Sequence, residues 1–186
     1  MYRKKVFISS VQSEFAAERQ ILLEYLTSDA LLGKFFEPFI FERTEAKDQS
    51  AQRVYLDQVR MCDIYIGLLG EKYGFEDDAG ISPTEREYDL STELHKTRLI
   101  YIKNVTRRDE KEAILIKKIE KDVIRKSFPD ADELKAAVYA SLIRYLEEKE
   151  IIRLFPFDAT FSRTATLEDI DEKIDRPDSK FCDVAN

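Results

Sequence analysis

One short run in the middle of the chain, Asp63–Leu69 (DIYIGLL), constrains the fold more than any other. After its first residue it carries no charge and shows no alternation. A strand with one wet face alternates apolar and polar residues, so an unbroken apolar run marks a strand covered on both faces. The chain must therefore supply helices for two sides of a sheet. Upstream, Lys5–Ser10 (KVFISS) reads as a strand and Ser13–Ser28 as a helix, with Phe15, Leu22 and Leu26 at helical spacing. Phe36–Glu42 reads as a second strand, and Pro38 marks it as an edge. Ser50–Met61 is a second helix whose stripe runs through Tyr55, Val59 and Cys62. Downstream come a helix over Pro83–Lys96, a strand over Leu99–Lys103 and an amphipathic helix over Arg107–Asp122. A weak strand at Val123–Phe128 and a long helix at Asp130–Glu150 complete the pattern. Strands alternating with helices predict βαβ units with right-handed crossovers. The expected fold is α/β and flavodoxin-like: a three-layer sandwich around a central, mainly parallel five-stranded sheet.

The chain has 186 residues, room for one domain of ordinary size with an appendage. The domain is expected over 1–150. Residues 151–186 change character, with an apolar IIRLFPFD, one short capped helix and a polar end. They read as a peripheral extension, or as a linker toward a further domain. The net charge of -7 argues against nucleic acid, which selects an excess of Lys and Arg. Cys62 and Cys182 lie far apart in unlike surroundings, so free thiols and a cytoplasmic setting are expected, with no leader before the first strand. His95 is the single histidine, which leaves little for a zinc site or a histidine-dependent triad. No metal or cofactor is expected. No apolar run reaches the roughly 20 residues of a membrane helix, so no membrane partner is expected either.

In such sheets ligands bind beyond the carboxyl ends of the strands, at the switch point. Ser9–Ser13, Gly70–Thr84 and the residues after Lys103 meet there. The hydroxyls of Ser9 and Ser10 have two readings: they hold a phosphate or ribose, or they cap the following helix. Gly70, Tyr73 and Gly74 likewise have two. They let backbone approach a ligand and stack a ring on a base, or they form a tight turn whose tyrosine plugs the core edge. No Gly-Lys-Ser/Thr follows, so the loop is not a P-loop. Ser82-Pro83-Thr84-Glu85 is a capping box with proline at the first helical position, and Ser82 stands at the head of that helix beside the expected site. Arg19 falls on the inward stripe of the first helix, where a charge needs a partner. Either an internal acid serves, Asp63 or one in Gly70–Thr84, or a ligand phosphate does. His95 reads as a residue of the last helical turn.

Three strings carry a resemblance. VFISSVQSEFAAER, CDIYIGLLGEKYG, and GISPTEREYDLS with LIYIK after it resemble the bacterial domain-of-unknown-function family numbered 4062, over roughly residues 4–150. LLGEKYG and SPTEREY are specific when they occur in this order. The resemblance implies a TIR-like, nucleoside deoxyribosyltransferase-like fold that opens larger proteins with an ATP-binding or regulator-like part. FPFDATFSRTATLEDI is similar to the stretch that joins such a domain to the next one in those larger proteins. Relatives of this kind include nucleoside deoxyribosyltransferases and TIR-domain NAD hydrolases, which cut an N-glycosidic bond with a glutamate on the helix after the central strand. His95-Lys96 stands where those families often have Gly-Lys, and counting back places that glutamate at Glu87. Tyr88, Asp89 and Ser91 come after it where deoxyribosyltransferases favour small residues. Pro83 and Thr84 stand near it where TIR domains have Trp-Cys.

The chemistry asks for one fixed carboxylate. Cleaving a ribosyl–base bond passes through an oxocarbenium-like state, which a carboxylate stabilises or attacks. Glu85 and Glu87 both qualify, but a spacing of two turns them to different sides of the helix. Proline at the first position favours the Ser82 cap and gives Glu85 a structural task, leaving Glu87 for chemistry. Glu87 also reads simply as a first-turn acid favoured by the helix dipole. The resemblance thus implies an N-glycosidase acting on NAD or a nucleoside-like substrate. The alternative is a non-catalytic nucleotide- or protein-binding signalling module of a larger regulator or defence protein. Expected partners are NAD or a nucleotide-like small molecule, a second copy of the chain, and a fused or separate regulator domain.

Overall fold

The run Ile64–Leu69 forms strand β3, buried at all six positions as its unbroken apolar character requires. The computed structural model describes residues 2–39 and 51–152. Within them the element order is β1 (Lys4–Ser10), α1 (Gln12–Ser28), α2 (Leu32–Phe35), β2 (Phe36–Phe39), α3 (Ala51–Met61), β3, α4 (Pro83–Glu93), β4 (Thr97–Lys103), α5 (Glu110–Ile119), β5 (Arg125–Phe128) and α6 (Ala131–Glu148). The five described strands lie in one sheet in the order β2-β1-β3-β4-β5, and every pairing is parallel. This is the flavodoxin-like α/β arrangement. The chain leaves β1 toward one edge and returns past it to β3, so the switch point lies between β1 and β3. The register there sets Ser9 opposite Gly67 and Ser10 opposite Leu68.

Both faces of the sheet are covered. Phe7, Tyr65 and Leu69 cluster with Val59 of α3, Tyr88 of α4 and Leu115 of α5 on one side. Alternate residues of β3 point to the other side. Right-handed crossovers leave that side to α1, where Phe15, Leu22 and Leu26 are fully buried. The edge position read from Pro38 holds, since β2 is an outermost strand.

Local chemistry explains the departures from expectation. Helix α2 has no counterpart in the sequence pattern; Asp29 Oδ1 accepts from Leu31 N at 2.9 Å and Leu32 N at 2.8 Å, and the capped turn buries Leu32. Helix α5 is shorter than its amphipathic pattern at both ends, because residues 107–109 belong to the loop before it and 120–122 to the turn after it. Helix α1 is broken at Phe15, with φ -111° and ψ 21°, so its first turn stands apart from the rest. The far end of the expected second strand, past Phe39, lies outside the described residues. The chain divides into a unit of Met1–Arg144 and a second of Tyr145–Asn186. The expected extension at 151–186 falls outside the described residues beyond Ile152.

Candidate active site

Strand β1 ends in Ile8-Ser9-Ser10, and Arg19 of α1 brackets that end. Its side chain is 2% exposed; Nη1 donates to Ile8 O at 3.0 Å and to Ser10 Oγ at 3.2 Å. An inward charge on this stripe is what the spacing predicts, but Asp63 is not the acid it faces. Asp63 accepts from Lys5 N at 2.8 Å and Lys4 Nζ at 3.4 Å at the opposite end of the strand. Glu87 is a carboxylate that feels the Arg19 charge.

Helix α4 brings Glu87 in. Ser82 is its N-cap, with Oγ accepting from Glu85 N at 3.3 Å, and Pro83 occupies the first helical position. Only this half of the expected capping box forms. The Tyr73 hydroxyl takes the other half: it accepts from Ser82 N at 3.2 Å and donates to Glu85 Oε2. Lys118 Nζ lies 2.9 Å from Glu85 Oε1 and 2.6 Å from Asp89. Burial raises the Glu85 carboxyl, but the Lys118 and Tyr73 hydrogen bonds outweigh it and hold the group below its usual value. Glu85 is thereby tied to α5.

Two residues on, Glu87 is 4% exposed and accepts a 2.5 Å hydrogen bond from Ser9 Oγ. Burial pushes its carboxyl up to about 7, against the opposing pull of the Ser9 hydrogen bond and the Arg19 charge. It stands in the wall of a cavity of about 280 Å³ at the carboxyl ends of β1 and β3. Of the residues singled out from sequence, Ser10, Arg19, Tyr73, Gly74 and Glu87 line this cavity. Ser9 stands behind Glu87 instead. Gly70, Ser82 and Glu85 are not in the lining, and neither is His95, which lies two residues past the end of α4 rather than in its last turn, in a left-handed conformation at φ 51°. Gly74, at φ 92°, takes the left-handed conformation glycine favours between Tyr73 and Phe75, which line the cavity with it. Tyr55 of α3 lines it as well.

The loop after β3 is held by carboxylates that no sequence pattern connects to it. Gly70 N donates to Glu112 Oε1 at 3.2 Å, Glu71 N and Lys72 N to the two oxygens of Glu14 at 2.7 and 2.9 Å, and Tyr73 N to Asp109 Oδ2 at 3.0 Å. Four consecutive amides are thus taken by the chain's own acids. Burial pushes Glu112 up to about 8, offset in part by the Gly70 hydrogen bond and the Arg108 charge. Gly70 serves close packing against α1: a Cβ there would sit 2.0 Å from Glu14 Oε1 and 2.7 Å from Phe15 Cζ. Gly70→Ala should therefore destabilise the protein by about 1–3 kcal/mol, as overpacking does, because Glu14 must release two amides to yield space. Denaturant unfolding checks this; an unchanged midpoint would mean the loop relaxes freely.

Among the described residues no cluster of His, Cys, Asp and Glu is placed to hold a metal ion, and no helix is long and apolar enough to cross a membrane.

A family model, Domain of unknown function (DUF4062), matches residues 5–143. No curated protein matches the chain. Among solved structures, the CMP N-glycosidase BcmB of Clostridium botulinum superimposes with a TM-score of 0.50 at 16% identity, covering 74% of this chain and 99% of that one. A 2-desoxiribosyltransferase from Leishmania mexicana does so with a TM-score of 0.39 at 19% identity, covering 54% of this chain and 65% of that one. A conserved protein of Enterococcus faecalis gives 0.44 at 10% identity, covering 75% and 99%. The likeness to the glycosidase shows a shared fold.

Proposed function

This chain belongs to the DUF4062 family, and we propose that it is a nucleotide-directed domain that cleaves the N-glycosidic bond of a nucleoside-like substrate. The observation that carries the reading is Glu87: a buried carboxyl in the wall of a ligand-sized cavity at the switch point, titrating near neutrality. As the C1′–N bond breaks, its electron pair leaves with the base and positive charge grows on the sugar. Ionised Glu87 stabilises that charge or bonds to C1′, and water completes the hydrolysis by adding at the same carbon. Tyr73, Tyr55 and Phe75 offer rings to the base, and Ser10 and Arg19 offer polar atoms to the sugar side. The cavity, about 280 Å³, lies at the small end of ligand pockets, a size that suits a nucleoside-like ligand. The fold neighbour from Clostridium botulinum is a CMP N-glycosidase, so nucleoside monophosphates join the substrates to try.

The test is release of free base. The protein is incubated, dilute and concentrated, with nucleosides, nucleoside monophosphates including CMP, and NAD, and free base is measured by chromatography. Base from a mononucleoside or its phosphate is expected. Release from NAD alone would replace the mononucleoside substrate with NAD. Calorimetric binding without base release at any concentration would replace the enzyme with a nucleotide-binding module.

A further inference from the structure

Of the three rings at the cavity, two already serve the fold. Tyr73 is 5% exposed, its hydroxyl accepts from Ser82 N and donates to Glu85, and Lys111 Nζ stands 5.8 Å from its ring centroid. Tyr55 packs against the core cluster, and its hydroxyl accepts from Gln12 Nε2 at 2.7 Å. Phe75 differs from both. It belongs to the cavity lining, yet it is 84% exposed. A side chain that both lines a cavity and stands in solvent lies at the rim. The loop that carries it is braced on either side. Upstream, the amides of residues 70–73 are taken by Glu112, Glu14 and Asp109. Downstream, Glu76 pairs with Lys111 and Asp77 with Arg86, while Asp77 Oδ1 accepts from Ala79 N at 2.9 Å and Ile81 N at 3.2 Å. The backbone is held in place while the phenyl ring, left in water, adds almost nothing to the core.

We propose that Phe75 is the residue on which the base stacks, and that it restricts the cavity to ligands carrying a flat aromatic base. The proposal rests on the reading of the cavity as a nucleoside site. A base laid on the phenyl displaces water from one face of each ring, and every base has such a face. The contact is therefore blind to which base it receives. The braced loop helps by a second route, since little backbone freedom is lost when the ligand arrives. A ligand with sugar and phosphate but no base gains none of this.

Binding is measured by calorimetry in the Glu87→Gln chain, so that no substrate is consumed, with CMP, AMP and ribose 5-phosphate as ligands. Phe75→Ala should weaken CMP and AMP by about tenfold or more and leave ribose 5-phosphate unchanged. Phe75→Tyr should bind as the parent does. Phe75→Leu keeps an apolar side chain without a π face, and should lose most of what Phe75→Ala loses. The melting temperature should stay in place throughout, because the ring is in solvent. The chain has no tryptophan, so Phe75→Trp sets a single indole at the rim. CMP should quench its fluorescence and ribose 5-phosphate should not. Unchanged CMP binding in Phe75→Ala overturns the proposal, and so does equal weakening of all three ligands. An indole that bound CMP leaves unquenched does the same, as does a parent chain that binds none of the three. If the Phe75 effects appear but the wild-type chain releases no base, the enzyme fails and the stacking residue stands.

Discussion

Glu87→Gln should lower the rate of base release by at least about 10²-fold, the scale of a positioned charge lost from a transition state. The amide keeps the volume of the carboxyl and its oxygen still accepts from Ser9, so the fold has no cause to change. Only the negative charge disappears. Because the carboxyl titrates near 7, wild-type kcat/KM should climb as pH rises through that value and Glu87 ionises. The variant should show no such limb. Glu85→Gln is the matched comparison. Its side chain points to Lys118 and Tyr73 and stands outside the cavity, and glutamine still accepts from both. Most of the activity should remain. If Glu85→Gln abolished base release and Glu87→Gln did not, the working carboxylate would be two residues earlier. If both retained full rate, the carboxylate mechanism would be wrong.

How much of this is legible in the sequence depends on the range of the signal. The sheet is readable because DIYIGLL has only one comfortable position, and the edge because proline cannot donate within a ladder. The inward turn of Arg19 and the head of α4 at Ser82 are readable for the same local reason. Contacts between distant segments are not. A capping box predicts that Glu85 turns back to Ser82 N, but a tyrosine nine residues before that serine intervenes. Gly70 has two readings in the sequence, ligand approach or a tight turn. A glycine pressed against a helix leaves the same mark in a sequence as one pressed against a ligand, and here the helix is α1. Glu14, Asp109 and Glu112 look like ordinary acids of helix starts, and nothing local shows that they hold one loop.

The protein should lose stability as pH rises from about 4.5 to about 8, opposite to the trend that ion-paired acids produce. Glu87 and Glu112 bind protons more tightly folded than unfolded, with values moved from 4.5 up to about 7 and about 8 by burial. Between the unfolded and folded values the folded state holds a proton that the unfolded state has shed. Each such group lowers the unfolding free energy by up to about 1.4 kcal/mol per pH unit in that interval. For Glu87, almost fully buried, the whole interval is worth about 3 kcal/mol. Below the interval the sign reverses. Asp132 sits below its ordinary value through its hydrogen bond and ion pair with Lys135, and Glu85 does so because Lys118 and Tyr73 outweigh its burial. Their stabilisation disappears as pH falls through their folded values. Stability should therefore peak near pH 4.5 and decline on both sides. Urea unfolding at pH 5, 6, 7 and 8 reads the upper limb. Glu87→Gln combined with Glu112→Gln should flatten it, since a buried amide has no ionisation to suppress. A wild-type curve level between pH 5 and 8 would mean that water reaches these carboxyls and that neither is held protonated by the fold.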